Sequence, residues 1–142
     1  MKGYLLDTNI PSELVRPQPS PCVIDWLDTQ ENESLFISVV TLGEIKKGIT
    51  LLPIGKRRKF LEDWYVDELL PWFEGRILSV SAPVAERRGE LDGLRQLEGN
   101  PLNIADGMIA ATALEHGLTL VTRNINDFVG LGVSIINPWE IE

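Results

Sequence analysis

Asn103-Ile104-Ala105-Asp106-Gly107-Met108-Ile109-Ala110-Ala111-Thr112-Ala113-Leu114-Glu115-His116 runs into Gly117-Leu118-Thr119-Leu120-Val121-Thr122, and this passage decides the fold. Asn103 is a helix-capping residue type, the residues through His116 have helical spacing, and Gly117 supplies a left-handed stop. A short β-prone run follows at once. Such runs recur at Gly3 to Asp7, Leu35 to Val40, Arg76 to Val80, Leu118 to Thr122 and Val133 to Asn137, with helically spaced segments between them. That alternation predicts an α/β fold, a central and mostly parallel sheet flanked by helices on both faces.

Other helix boundaries are signalled too. Thr41 and Glu44 have capping-box spacing, and Pro83 suits the first helical turn after Ser81. A long helical region from Lys56 to about Leu70 forms, with the helix before it, a hairpin inserted between strands. Trp64, Tyr65, Trp72 and Phe73 read first as core; a groove for a partner helix, or a dimer seam, is the other use of so many aromatics. Gly130-Leu131-Gly132 is a turn into the last strand. With no repeat, low-complexity tract or linker, residues 1–142 read as a single domain.

At 142 residues the chain is long enough for one unstapled core, since folding at this size buries roughly 68–70% of the unfolded surface. Hydrophobic residues at 44% and charged residues at 24% exclude disordered and disulfide-rich classes. The lone cysteine, Cys22, permits no internal disulfide and no Cys-based zinc site, and reads as a small buried hydrophobe in a reducing compartment. The start, Met1-Lys2-Gly3-Tyr4-Leu5-Leu6-Asp7, lacks a signal-peptide apolar region. No apolar run approaches the roughly 20 residues that span a bilayer, so a soluble cytoplasmic protein is expected. The net charge of −8 argues against a broad phosphate-binding surface. It is compatible with an acidic pocket that grips phosphate through cations and needs only a basic rim. The dense basic run Lys56-Arg57-Arg58-Lys59, near Lys46 and Lys47, reads as a solvated helix face.

Elimination narrows the chemistry. The only histidine, His116, falls at a helix C-terminus, where the dipole favours a cation. No phosphate-cradling glycine loop is present. What remains is acids. Asp7 closes the first strand, and in an open parallel sheet ligands gather beyond the carboxyl ends of the strands. Asp106 shares a helix face with Ile109, Ala110 and Ala113, which turns its carboxylate inward and requires a compensating partner. Glu44 and Asp127 have ordinary explanations as capping-box and loop acids. Gathered at one sheet edge, three or four carboxylates would raise one another's pKa unless a cation neutralised them, and Mg²⁺ or Mn²⁺ suits an all-oxygen set.

Asp7-Thr8-Asn9 after a first strand, Thr41-Leu42-Gly43-Glu44-Ile45, the helix around Asp106, and Leu120-Val121-Thr122-Arg123-Asn124 together resemble a PIN domain, in order and over nearly the whole chain. Within that family the likeness is to VapC-type and FitB-type toxins of toxin–antitoxin pairs. The resemblance implies a Rossmann-like fold, divalent metal at Asp7 and Asp106, Glu44 completing the acidic cluster, an RNA substrate, a homodimer and an antitoxin that blocks the pocket. Many PIN domains place a fourth acid in a Thr-x-Asp pattern after the fourth strand. Here that position is Asn124, with Asp127 three residues on, so the fourth role falls to either and the site takes one metal or two.

These readings converge on Mg²⁺- or Mn²⁺-dependent hydrolysis of RNA at Asp7, Glu44, Asp106 and Asp127, supported by Asn9, Thr122 and Asn124. Two alternatives carry different chemistry. A haloacid-dehalogenase-like phosphatase also ends its first strand in an aspartate, but has a second acid where this chain has Asn9. An interaction module without catalysis would use the acidic pocket to bind a basic peptide.

Overall fold

The computed structural model describes residues 3–141. Met1-Lys2, part of the start read above as free of a signal peptide, and Glu142 lie outside them. Five strands form one parallel sheet: β1 (Tyr4–Leu6), β2 (Leu35–Ser38), β3 (Ile77–Leu78), β4 (Thr119–Val121) and β5 (Ile135–Ile136). Their order is β3-β2-β1-β4-β5. The chain winds outward from β1 in one direction through β2 and β3, then returns beside β1 with β4 and continues the other way. The switch point therefore lies between β1 and β4, where an open α/β sheet leaves a crevice at its carboxyl edge.

Among the described residues seven α-helices connect the strands: α1 (Asn9–Leu14), α2 (Pro21–Asp28), α3 (Val39–Leu51), α4 (Lys56–Trp64), α5 (Leu70–Trp72), α6 (Ala82–Leu97) and α7 (Ile104–His116). Successive strand residues face opposite sides, and two cores result. Leu6 and Val121 point into one with Ile10, Trp26, Ile45 and Phe73. Leu5 and Leu120 point into the other with Ile109, Ala110, Ala113 and Phe128. Burial on both faces is why these strands read as apolar runs rather than as alternation.

The predicted caps at Ser81 and Asn103 form: the Ser81 hydroxyl accepts from the Val84 N–H, and the Asn103 side chain accepts from the Ala105 and Asp106 N–H groups. Gly117 closes α7 at φ 64°, a left-handed value that an L side chain resists. The capping box at Thr41 and Glu44 does not form. Strand β2 ends two residues earlier than expected and passes directly into α3, whose cap is Ser38, accepting from the Val40 N–H at 3.0 Å. Thr41 is consequently buried in the first helical turn, and Glu44 lies a turn further on.

The long helix after Lys56 is not continuous. Between α4 and α5 a π-helical turn, Tyr65–Leu69, carries a Leu70 N–H to Tyr65 carbonyl bond. The widening precedes Pro71, which has no N–H to offer and whose ring would press on the carbonyl four residues back. Trp64, Tyr65 and Phe73 are buried, as the core reading expected. Cys22 departs from expectation: it is exposed in the first turn of α2. Among the described residues no helix is long and apolar enough to cross a membrane.

Candidate active site

Asp7 still belongs to the sheet through its backbone, its N–H donating to the Val121 carbonyl at 2.9 Å, while its side chain sits at the switch point. The carboxylate is buried, with the residue 6% exposed. A buried charge requires donors, and it has two. The Thr8 N–H reaches Oδ1 at 2.8 Å, and the Thr122 hydroxyl reaches Oδ2 at 2.8 Å. Thr122 stands one residue beyond β4, so adjacent strands place the acid and its donor side by side. The same hydroxyl oxygen accepts from the Asn124 N–H at 3.0 Å and the Asn9 amide at 3.4 Å. Asn9 in turn accepts from the Arg123 N–H at 3.5 Å. Asn9 thus acts on Asp7 through Thr122, and Asn124 takes part with its backbone while its side chain is exposed.

Asp106 arrives from the opposite side, as the third residue of α7. Its half-buried carboxyl is pushed up to about 6, first by burial and then by the charges of Asp7, Asp127 and Glu44. Burial likewise raises Asp7, against the lowering effect of the Thr122 and Thr8 hydrogen bonds, and the charges of Glu44 and Asp127 add to the rise. Charges from three other segments thus reach Asp106, and those of Glu44 and Asp127 reach Asp7. Glu44 projects from α3 and Asp127 closes a 3₁₀ turn, Ile125–Asp127; both are exposed at the rim.

Thr8 was not singled out by the sequence reading. Its hydroxyl donates to Glu44 Oε1 at 2.6 Å and lies 3.4 Å from the Thr41 Oγ1. With its N–H on Asp7 it joins two of the acids, although 36 positions separate it from Glu44. Only its place beside Asp7 offered a sequence signal.

The donor set suits a hard cation. It consists of carboxylates and hydroxyls, and the one histidine and one cysteine are exposed elsewhere, on the last residue of α7 and on α2. Among the described residues no three His, Cys, Asp or Glu side chains close into a metal cage of their own. Mg²⁺ does not need one, because it retains several waters and binds through one or two carboxylates. Asp7 and Asp106 are raised first by burial and then by the charges of neighbouring acids, and a bound cation would offset both.

The PIN domain family model matches residues 4–129. Toxin FitB of Neisseria gonorrhoeae is 40% identical over 95% of this chain and 97% of its own length. VapC ribonuclease Y4jK of Sinorhizobium fredii is 38% identical over 96% of this chain and 97% of its own. The crystal structure of FitAcB from Neisseria gonorrhoeae superposes with a TM-score of 0.91 at 39% identity, covering 97% of this chain and 99% of that one. On fold, sequence and the ordered set of motif residues, the chain belongs to the PIN domain family.

Proposed function

We propose that this chain is a divalent-metal-dependent endoribonuclease and the toxin of a toxin–antitoxin pair, working as a single domain in the cytoplasm. The observation that carries the reading is the buried Asp7 carboxylate at the switch point, held by Thr8 and Thr122, with burial and then the charges of neighbouring acids raising the pKa of Asp7 and Asp106. Relatives named as a toxin and as a ribonuclease support it. An antitoxin partner follows from the same kinship.

In this reading Asp7 and Asp106 would hold Mg²⁺ or Mn²⁺, and Glu44 and Asp127 would assist them. When bound, the ion supplies a Lewis acid that eases deprotonation of the attacking water and offsets charge on the phosphate. The protein's own share is orientation. Thr122 and the Thr8 N–H hold the two oxygens of Asp7 in a fixed plane, leaving lone pairs on each for a further partner. Thr8 keeps Glu44 turned toward the same crevice. Self-association is part of the proposal: Leu94 and Leu97, 61% and 87% exposed on the outer face of α6, are surface that a second copy would cover, and light scattering of the purified chain measures it.

The test is Asp7→Asn or Asp106→Asn, purified free of antitoxin and assayed on structured RNA with Mg²⁺. Loss of at least about 100-fold is expected, as for groups that hold or orient a metal. Cleavage at the unmutated rate would reject the assignment.

A further inference from the structure

The basic run Lys56-Arg57-Arg58-Lys59 is not uniform once folded. Arg58 pairs with Glu62 at 3.7 Å and Lys59 with Asp63 at 2.9 Å, each one helical turn along α4, as a solvated face would have it. Arg57, among the described residues, takes no carboxylate partner. Its guanidinium instead donates to the Val15 carbonyl at 2.6 Å and lies 5.5 Å from the centre of the Phe60 ring. Two tethers from different elements hold the cation in place. Of the five N–H donors that a guanidinium carries, Val15 engages one.

Where Arg57 is held matters. A cleft of 210 Å³ is lined by Thr8, Ser12, Glu44, Arg57 and Trp64 among others, and Arg57 is the one cation in its wall. Thr8 and Glu44 belong to the acid cluster, so this cleft is a side entrance to it. Val15, Arg57 and Trp64 also line a larger groove of 580 Å³, whose walls include Phe60 and Trp72. Its other charges are Arg16, committed to Glu13 at 3.2 Å, and Glu68. Phe60, 51% exposed, is the ring this groove offers to solvent, and a cation beside an exposed ring is the arrangement with which proteins follow a single strand, phosphate on the charge and a base on the ring.

We propose that Arg57 is a substrate-positioning residue, binding a non-scissile backbone phosphate of an RNA strand that leaves the acid cluster through this cleft toward the aromatic groove. The inference rests on the ribonuclease reading and adds the path of the strand. The local cation, with donors left over and no carboxylate partner among the described residues, supports RNA as the occupant. A chain of net charge −8 repels polyanions overall, so strand binding must come from fixed local cations, and a guanidinium matches phosphate oxygens two at a time.

The experiment separates this from the parent reading by measuring binding without turnover. Fluorescence anisotropy of a labelled single-stranded oligoribonucleotide is recorded with Asp106→Asn protein in Mg²⁺, with and without Arg57→Gln, Arg57→Lys, Arg58→Gln or Lys59→Gln. Arg57→Gln is expected to weaken binding fivefold or more and to reduce the slope of log K against log salt by about 0.7, the value of one single-strand phosphate. Arg57→Lys should restore part of the loss, and the Arg58 and Lys59 variants should bind like their parent. Unchanged affinity and slope in Arg57→Gln, or no measurable RNA binding by the parent, would overturn the proposal. So would an equal loss in Arg57→Gln and Arg58→Gln, which would mean diffuse charge. Should the unmutated chain cleave no RNA while Arg57→Gln still weakens binding, the phosphate contact stands and the nuclease reading falls.

Discussion

Asp106 holds its proton up to about pH 6 because it is half-buried and faces three other acids. Its unfolded counterpart titrates near 3.9. A carboxyl raised on folding contributes stability that is present in full below the unfolded value and is lost as pH climbs through the folded one. Asp7, raised for the same reasons, acts in the same direction. The thermal midpoint of metal-free protein should therefore decline between about pH 4 and pH 6, and Asp106→Asn should remove part of that decline. At pH 7.5 the variant should be more stable than the parent by about 1 kcal/mol, after discounting for solvent screening; differential scanning calorimetry across pH measures it. Thr122→Val poses the converse case, since it strips a buried carboxylate of a donor at 2.8 Å. It should cost about 1–3 kcal/mol in chemical denaturation and about 10- to 100-fold in RNA cleavage.

Among the elements, α7 ties cap and chemistry together: Asn103 receives the N–H of Asp106 itself. Asn103→Ala should lower stability by about 0.5–2 kcal/mol, read from urea unfolding, and should reduce activity further than stability loss explains, because the first turn carries the acid. This helix was legible in the sequence from end to end, since a cap, an apolar face and a left-handed glycine all act locally. The five strands were legible for a similar reason, although each is shorter than its apolar run. What local pattern misassigned was the start of α3, where Thr41 and Glu44 had the right spacing for a cap but Ser38 was already serving. The π turn also escaped, because only its downstream proline betrays it. Within the site, Asp7 and Asp106 could be picked out from strand end and helix face. The hydroxyl of Thr8 could not, nor the separate orientation of Arg57 within a run of like charges, because tertiary packing alone decides what a side chain meets tens of residues away.

For the molecule as a whole, the raised carboxyls oppose folding at neutral pH, and a cation bound among them should offset that. Saturating Mg²⁺ is expected to stabilise the fold, by about 2.7 kcal/mol at one hundred times its dissociation constant, and so to raise the thermal midpoint. The rise should be larger at pH 7.5 than at pH 5, where protons compete for Asp106. A shift that is absent at both pH values would favour an acidic module that binds protein without catalysis. The order of strands has one more consequence. Asp7 is synthesised well before the strand that lodges beside it, β4, and before the rim acid Asp127. A nascent chain that has reached only β3 carries an incomplete set of acids, so the centre proposed for RNA hydrolysis cannot assemble until α7, β4 and the turn that bears Asp127 have joined the strands made before them.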